Sequence, residues 1–203
     1  MSIGAEVLDA LPAEGLATIA PRIRDGDILL CSATDPMSRL IGWSTKSPWT
    51  HVGFAWRWPA IDRILVLECV QRIGVHSVGL ERFISQTSSG TRPYPGRIVL
   101  ARHADISRHG DLKPLIDYAV DRMGDPFSTV EVIKIAMRIA LSRVVGRLPR
   151  PLQAKEEYIC SEYLDRCFRT VGVAIPWDGL GFIAPAEIAD DPRVEAIARF
   201  ATR

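Results

Sequence analysis

The sequence predicts an α+β fold in which a mainly antiparallel sheet packs against helices. Three observations carry this. Strand-like segments fill the first half of the chain and helical segments the second, an order that argues against alternating βαβ units. Two strands, His51 to Trp58 and Arg63 to Val70, flank the short turn Pro59-Ala60-Ile61-Asp62 and so form a hairpin. Apolar residues recur at helical spacing later on, first as Leu112, Leu115, Ile116, Ala119, Val120 and Met123, then as Leu164, Cys167, Phe168 and Val171.

The elements follow in order. Residues 1–24 read as a short helix and lead-in, and residues 25–203 as a single domain. Asp25-Gly26-Asp27 is a turn, and Ile28 to Cys31 a short apolar strand. Residues 32–50, rich in Ser, Thr, Pro and Trp, read as a loop. After the hairpin, Ile73 to Val78 and Arg97 to Ala101 read as further sheet segments, joined through turn-like residues 86–96. Asp111 is a candidate N-cap for the next helix, and Gly124 its stop. Ser128 and Glu131 have capping-box spacing and open a helix to about Val145, before Pro149 and Pro151 break the chain. A last helix runs from about Ile159 to Val171 and stops at Gly172.

Composition narrows the function classes. At 203 residues and 47% hydrophobic content, the chain can bury a full core without staples. A formal net charge of +1 gives no field that recruits nucleic acid. Cys31, Cys69, Cys160 and Cys167 form no C-x-x-C pair, which disfavours zinc and thioredoxin-type chemistry and suits a reducing compartment. Glu6, Asp9 and Glu14 stand where a signal peptide wants a basic start and an unbroken apolar core, so a cytoplasmic location is expected. The most apolar stretch, Val130 to Val145, is interrupted by Lys134, Arg138 and Arg143, so no integral membrane association is expected and any contact is peripheral.

Candidate chemistry centres on Cys160, His51 and Glu68. Cys160 opens a helix, where exposed N–H groups and the helix dipole stabilise a thiolate. It also tops the apolar stripe that continues through Leu164. His51 opens a strand. With a four-residue loop at 59–62, opposed residues in the hairpin sum to 121, so Gly53 faces Glu68 and His51 is its diagonal neighbour, ~7–8 Å away at the backbone. Gly53 has no side chain to keep Glu68 from leaning toward the imidazole. Glu68 sits among Ile64, Val66 and Val70, where an unpartnered carboxylate would cost roughly several kcal/mol. A hydrogen bond to His51 satisfies it and fixes the ring. The competing reading is an edge strand with Glu68 in water and an inert core cysteine.

Cys31, Cys69 and Cys167 lie within strands or mid-helix and read as structural. His76, His103 and His109 have no paired context, so solvated or structural roles are expected of them. Ser161 lies in no G-x-S-x-G elbow. Trp56 and Trp58 read as core or hairpin packing. Trp43 and Trp49, with Lys46 between them, precede His51 and are the candidate substrate-binding residues, with loop packing the competing reading for the two tryptophans.

Together, GDILL, SPWTHVGFAW, VLECV, the later G-D-P-F and Y-I-C-S-E-Y-L resemble the circularly permuted branch of the NlpC-type papain-like cysteine peptidases, the YiiX-like proteins. The resemblance spans about Asp25 to Ala189. In that branch the His-bearing strands precede the Cys-bearing helix, as here. The resemblance implies a permuted papain-like fold, Cys160 as nucleophile, His51 as base and Glu68 as the orienting residue. It further implies Tyr158 as an oxyanion stabiliser. The implied activity is cleavage of an amide bond in a small peptide, amino-acyl or acyl substrate, with no cofactor and no metal. An acyltransferase or thioesterase of the lecithin:retinol acyltransferase-like type on lipid-like acyl groups is the alternative, and a non-catalytic binding module a third.

Overall fold

A computed structural model describes residues 3–34, 36–71, 73–85, 94–127, 159–177 and 183–202. The helix expected from Ser128 to Val145, Pro149, Pro151 and Tyr158 lie outside the described residues.

The described chain is mixed α and β, with a seven-stranded sheet packed against helices on both faces. The strands are β1 (Ala13–Glu14), β2 (Ile28–Ala33), β3 (His51–Trp58), β4 (Arg63–Val70), β5 (Gly74–Gly79), β6 (Gly96–His103) and β7 (Val194–Phe200). Their order is β1-β7-β6-β2-β3-β4-β5. All neighbours are antiparallel except β1 and β7. The helices are α1 (Ala5–Ala10), α2 (Leu16–Ile19), α3 (Pro36–Thr45), α4 (Leu80–Ser85), α5 (Ala104–Arg108), α6 (Lys113–Asp121), α7 (Cys160–Arg169) and α8 (Pro185–Asp190).

Strand alternation sorts the core into two layers. Val52, Phe54, Leu67 and Cys69 join Leu115 and Ala119 of α6 and Tyr163, Leu164 and Phe168 of α7 on one face. Ala55, Val66 and Leu29 join Ile19 of α2 and Leu80 and Phe83 of α4 on the other. The N-terminal residues take part in both layers, through Ile3 and Leu8 on one side and Ile19 and Ile23 on the other.

The turn at 25–27 is fixed by its own carboxylates. Asp27 is buried and accepts both Nε and Nη2 of Arg102 at 2.8 Å, while Asp25 accepts the Arg57 backbone N–H at 2.6 Å. This pins the start of β2, the central strand that carries β3. The 59–62 loop has the expected length: Gly53 pairs with Glu68 and Trp58 with Arg63. Asp62 closes it in the left-handed region, at φ 50°.

Three expectations are corrected. Residues 32–50 are not all loop, because α3 occupies Pro36–Thr45. Pro36 sits at the helix start, where its missing N–H costs nothing, whereas Gly42, Ser38 and Thr45 hide the helix from a propensity reading. Trp58 does not pack in the hairpin; it is 50% exposed. Asp111 acts one position outside its expected place: its Oδ1 accepts the Lys113 N–H at 2.8 Å, and Leu112 holds the cap position.

The sheet's outer edge at β5 is covered. Gly124 N–H donates to Val75 O and Val75 N–H to Asp125 O, each at 2.9 Å, so the chain after α6 pairs with the edge strand. Gly74 makes this approach possible. It has φ +85°, and a Cβ there would lie 2.1 Å from the Asp125 carbonyl oxygen.

Candidate active site

α7 places Cys160 at its first residue because apolar positions along the helix must face the sheet. Cys160, Leu164, Cys167 and Phe168 are all buried on one stripe against β3 and β4. Other contacts fix the helix in place. Tyr163 Oη donates to Ala119 O of α6 at 3.0 Å, Ser161 Oγ donates to Ile183 O, and Asp165 Oδ1 accepts the Ile175 N–H at 3.1 Å. Ile159 caps the helix with no side-chain hydrogen bond, so the first-turn N–H groups are left for the sulfur and its ligands.

The β3–β4 ladder ends at Gly53 and Glu68, one residue short of Val52. Backbone N–H groups of Val52 and Ser161 favour the Cys160 thiolate. Cys160 thus occupies the splayed end of the two strands, beside His51. Thr50 anchors the start of β3, donating its N–H to Cys31 O at 2.8 Å and accepting the Ala33 N–H on Oγ1 at 3.0 Å.

The three candidate residues come together. His51 Nε2 lies 2.6 Å from Glu68 Oε2, and His51 and the Cys160 thiolate attract each other across the site. Glu68 holds Nε2, which leaves Nδ1 for the sulfur. Gly53 creates the room: a Cβ there would crowd Glu68 Cβ at 3.2 Å and Leu67 O at 3.0 Å. His51 and Glu68 side chains are 17% and 8% exposed, so the charges interact in a poorly screened setting.

The electrostatics favour an ion pair. Burial opposes a charge on His51, but the thiolate of Cys160 and the Glu68 carboxylate outweigh it and raise the imidazole to about 10. Burial likewise opposes the Glu68 charge, and the hydrogen bond to His51, with His76 close by on the other side, overcomes this and holds it at about 2. Burial also opposes a Cys160 thiolate, yet the His51 charge and hydrogen bond bring this thiol below its usual range. The other three thiols go the opposite way. Burial pushes Cys167 up to about 12 and raises Cys31 and Cys69, with no cation to offset it. All four cysteines are free, and among them only the Cys160 thiol is drawn toward its anion.

The remaining candidates divide. Trp49 is 1% exposed and its Nε1 donates to Ile3 O at 2.6 Å, so it closes the core under β3 and does not line an open groove. Its burial comes from a segment 46 residues away, which no local pattern announces. Trp43 is 56% exposed, and Lys46 is exposed with φ 53°.

Sequence reasoning missed His76. It stands directly opposite Glu68 in the β4–β5 register, and its Nε2 lies 3.1 Å from Glu68 Oε1. The pairing of Val70 with Gly74 carried the signal, since opposed residues there sum to 144. His103 and His109 have local roles as expected. His103 Nδ1 accepts the Asp105 N–H at 3.1 Å and caps α5, and His109 Nδ1 accepts the Asp111 N–H at 3.3 Å.

No family model matches the chain, and no curated protein matches it. Among solved structures it is similar to the crystal structure of the metalloprotein YiiX from Escherichia coli O157:H7, a DUF1105 protein. That match has a TM-score of 0.51 and 17% identity, covering 87% of this chain and 97% of that one. At this identity the likeness concerns the fold. The neighbour is the protein whose name the sequence resemblance carries. Among the described residues, no helix is long and apolar enough to cross a membrane.

Proposed function

We propose that this protein is a cysteine hydrolase of the circularly permuted papain-like, NlpC type, cleaving an amide bond through a thioester. The observation that carries this is the chain of contacts from the Cys160 thiol at a helix start, through His51, to a buried carboxylate 2.6 Å away. A core with no chemistry to perform has no reason to bury Glu68 and His51 beside a thiol drawn toward its anion.

The reaction runs from the ion pair. The Cys160 thiolate attacks the substrate carbonyl carbon, and the carbonyl π electrons move to oxygen. Backbone N–H groups at the α7 start receive that oxyanion, with Tyr158 as the further donor that the family resemblance suggests. The imidazolium of His51 gives its proton to the leaving amine as the C–N bond breaks, leaving a thioester. His51, now neutral, takes a proton from water, the hydroxide adds to the thioester, and the acid leaves as the thiolate re-forms. Glu68 keeps the ring oriented and stabilises its charged form throughout. Acyl transfer differs only in the second acceptor, an amine or alcohol in place of water.

The neighbour's description as a metalloprotein raises a metal as an alternative role for these side chains. The residues do not fit one well. Among the described residues no three His, Cys, Asp or Glu side chains are grouped to hold an ion. The Nε2 atoms of His51 and His76 instead lie against the two oxygens of Glu68. The mechanism therefore has no metal step.

The test is covalent capture. Incubating the protein with cell extract, quenching in acid and mapping peptides by mass spectrometry should find an acyl adduct on Cys160 that hydroxylamine releases. An adduct absent from Cys160, or equally present in a His51→Ala variant, would refute the proposal.

A further inference from the structure

We propose that His76 is a positioning residue of this site: from β5 it engages the second oxygen of Glu68 and so keeps the first aimed at His51. The inference rests on reading Cys160, His51 and Glu68 as a catalytic unit, and it extends that unit to a fourth side chain.

The register sets it up. Glu68 faces Gly53 on one side and His76 on the other, so its carboxylate lies between two imidazoles, one diagonal on β3 and one directly opposite on β5. A carboxylate has two acceptor oxygens, and Glu68 is buried. Oε2 meets His51 Nε2 at 2.6 Å, and Oε1 meets His76 Nε2 at 3.1 Å. The second contact is a close approach whose angle falls outside hydrogen-bond geometry, so it is the weaker of the two and acts through charge and position. Without it, Oε1 would lose its neighbour on β5 in a buried setting. The terminal torsion of Glu is broad, so a carboxylate without this second contact samples a wider range of orientations toward the His51 ring. The side chain of His76 is 23% exposed and that of Glu68 8%, so the contact is sheltered from competing water.

The strand bearing His76 is itself held on both sides. β4 pairs along one edge, and the Gly124 and Asp125 hydrogen bonds to Val75 hold the other. Other titratable groups around the cluster are Cys31 on β2, Cys69 on β4, Cys160 and Glu162 on α7, and Asp125 beside β5. None of these is a cation, so His51 and His76 are the basic partners that Glu68 has there.

The consequence reaches the sulfur in two steps. A loosened Glu68 stabilises the His51 imidazolium less, and a weaker imidazolium holds the Cys160 proton less far down. The experiment reads the rate of Cys160 alkylation by iodoacetamide, by peptide mapping, from about pH 4 to about pH 9. It compares wild type, His76→Leu, His76→Gln, Glu68→Gln and the Glu68→Gln/His76→Leu double variant. The acid limb should move up by about half a pH unit in His76→Leu, roughly a threefold loss of rate at fixed pH on that limb. Gln, which places an amide donor near the imidazole Nε2, should restore it. In the Glu68→Gln background, His76→Leu should add little, because the two act as one unit.

A His76→Leu profile superimposed on wild type, with Glu68→Gln shifted, would overturn the His76 role and leave the triad standing. Additive shifts in the double variant would also overturn it, since they mark general structural damage. A wild-type Cys160 with no enhanced reactivity near neutral pH would instead overturn the catalytic reading itself, and His76 with it. Should His76→Leu fail to fold by circular dichroism, His76→Asn, whose amide falls short of Oε1, takes its place with the same expectations.

Discussion

Replacing Glu68 with Gln should lower the proton affinity of His51 by about one unit. The substitution neutralises one partner of a hydrogen bond that spans 2.6 Å between side chains 8% and 17% exposed. A hydrogen bond to a charged group contributes about 1.5–3 kcal/mol. At 1.36 kcal/mol per unit this corresponds to about 1–2 units. Gln has nearly the same shape and its amide oxygen still accepts from Nε2, so the charge goes and the bond stays, which places the effect at the lower end. His51, raised to about 10 in the native site, should then titrate nearer 9, on the order of one unit lower. The Cys160 thiol should rise in the same variant, because the cation that stabilises its thiolate is weaker. Ring carbon and nitrogen NMR shifts of His51, followed against pH in labelled protein, measure this directly. A His51 pKa within ~0.3 units of wild type, or one that rises, would refute the assignment of Glu68 as its charged partner.

Other outcomes follow from the same geometry. In a turnover assay, Cys160→Ala should abolish activity, His51→Ala should be nearly as damaging, and Glu68→Gln should cost less. Combining His51→Ala with Glu68→Gln should add little to the His51 loss, and steady-state kcat/KM for the set checks this. Glu68 is held well below its unfolded value, so the stability it contributes is present above about pH 4.5 and lost as pH falls toward about 2, a loss of a few kcal/mol, roughly. Urea midpoints measured across that window should fall steeply in wild type and less in Glu68→Gln. Gly74→Ala should be strongly destabilising, because the new Cβ would stand 2.1 Å from Asp125 O at φ +85°. A cost of at least about 2 kcal/mol, or roughly 4–8 °C in Tm by calorimetry, is expected. An unchanged Tm would mean that β5 is not clamped by residues 124 and 125.

How much of this the sequence announces depends on how local each determinant is. The His51–Glu68 pair was legible because an even, four-residue loop fixes which residues face each other, and the apolar run around Glu68 makes an unpartnered carboxylate costly. The start of α7 was legible from its stripe and its terminal Gly172. His76 required the same register argument at the next turn, where β5 begins at Gly74 in a left-handed conformation and not at Ile73. α3 escaped because its Gly, Ser and Thr content suits a loop equally well. β1 and β7 join Ala13 to Arg199 across most of the chain, and a two-residue strand has no periodicity to detect. The burial of Trp49 under Ile3 is likewise a tertiary event: of the two readings open for that side chain, packing holds and a place in a substrate groove does not.

The central claim is that Cys160 is an activated nucleophile and the other three thiols are packing. Limited iodoacetamide labelling of the native protein near neutral pH, with each cysteine quantified by peptide mapping, tests it most directly. Cys160 should be modified first and His51→Ala should remove this preference, while Cys31, Cys69 and Cys167 stay protected until the protein unfolds. Preferential labelling of any of those three, or labelling of Cys160 that is indifferent to His51, would contradict it.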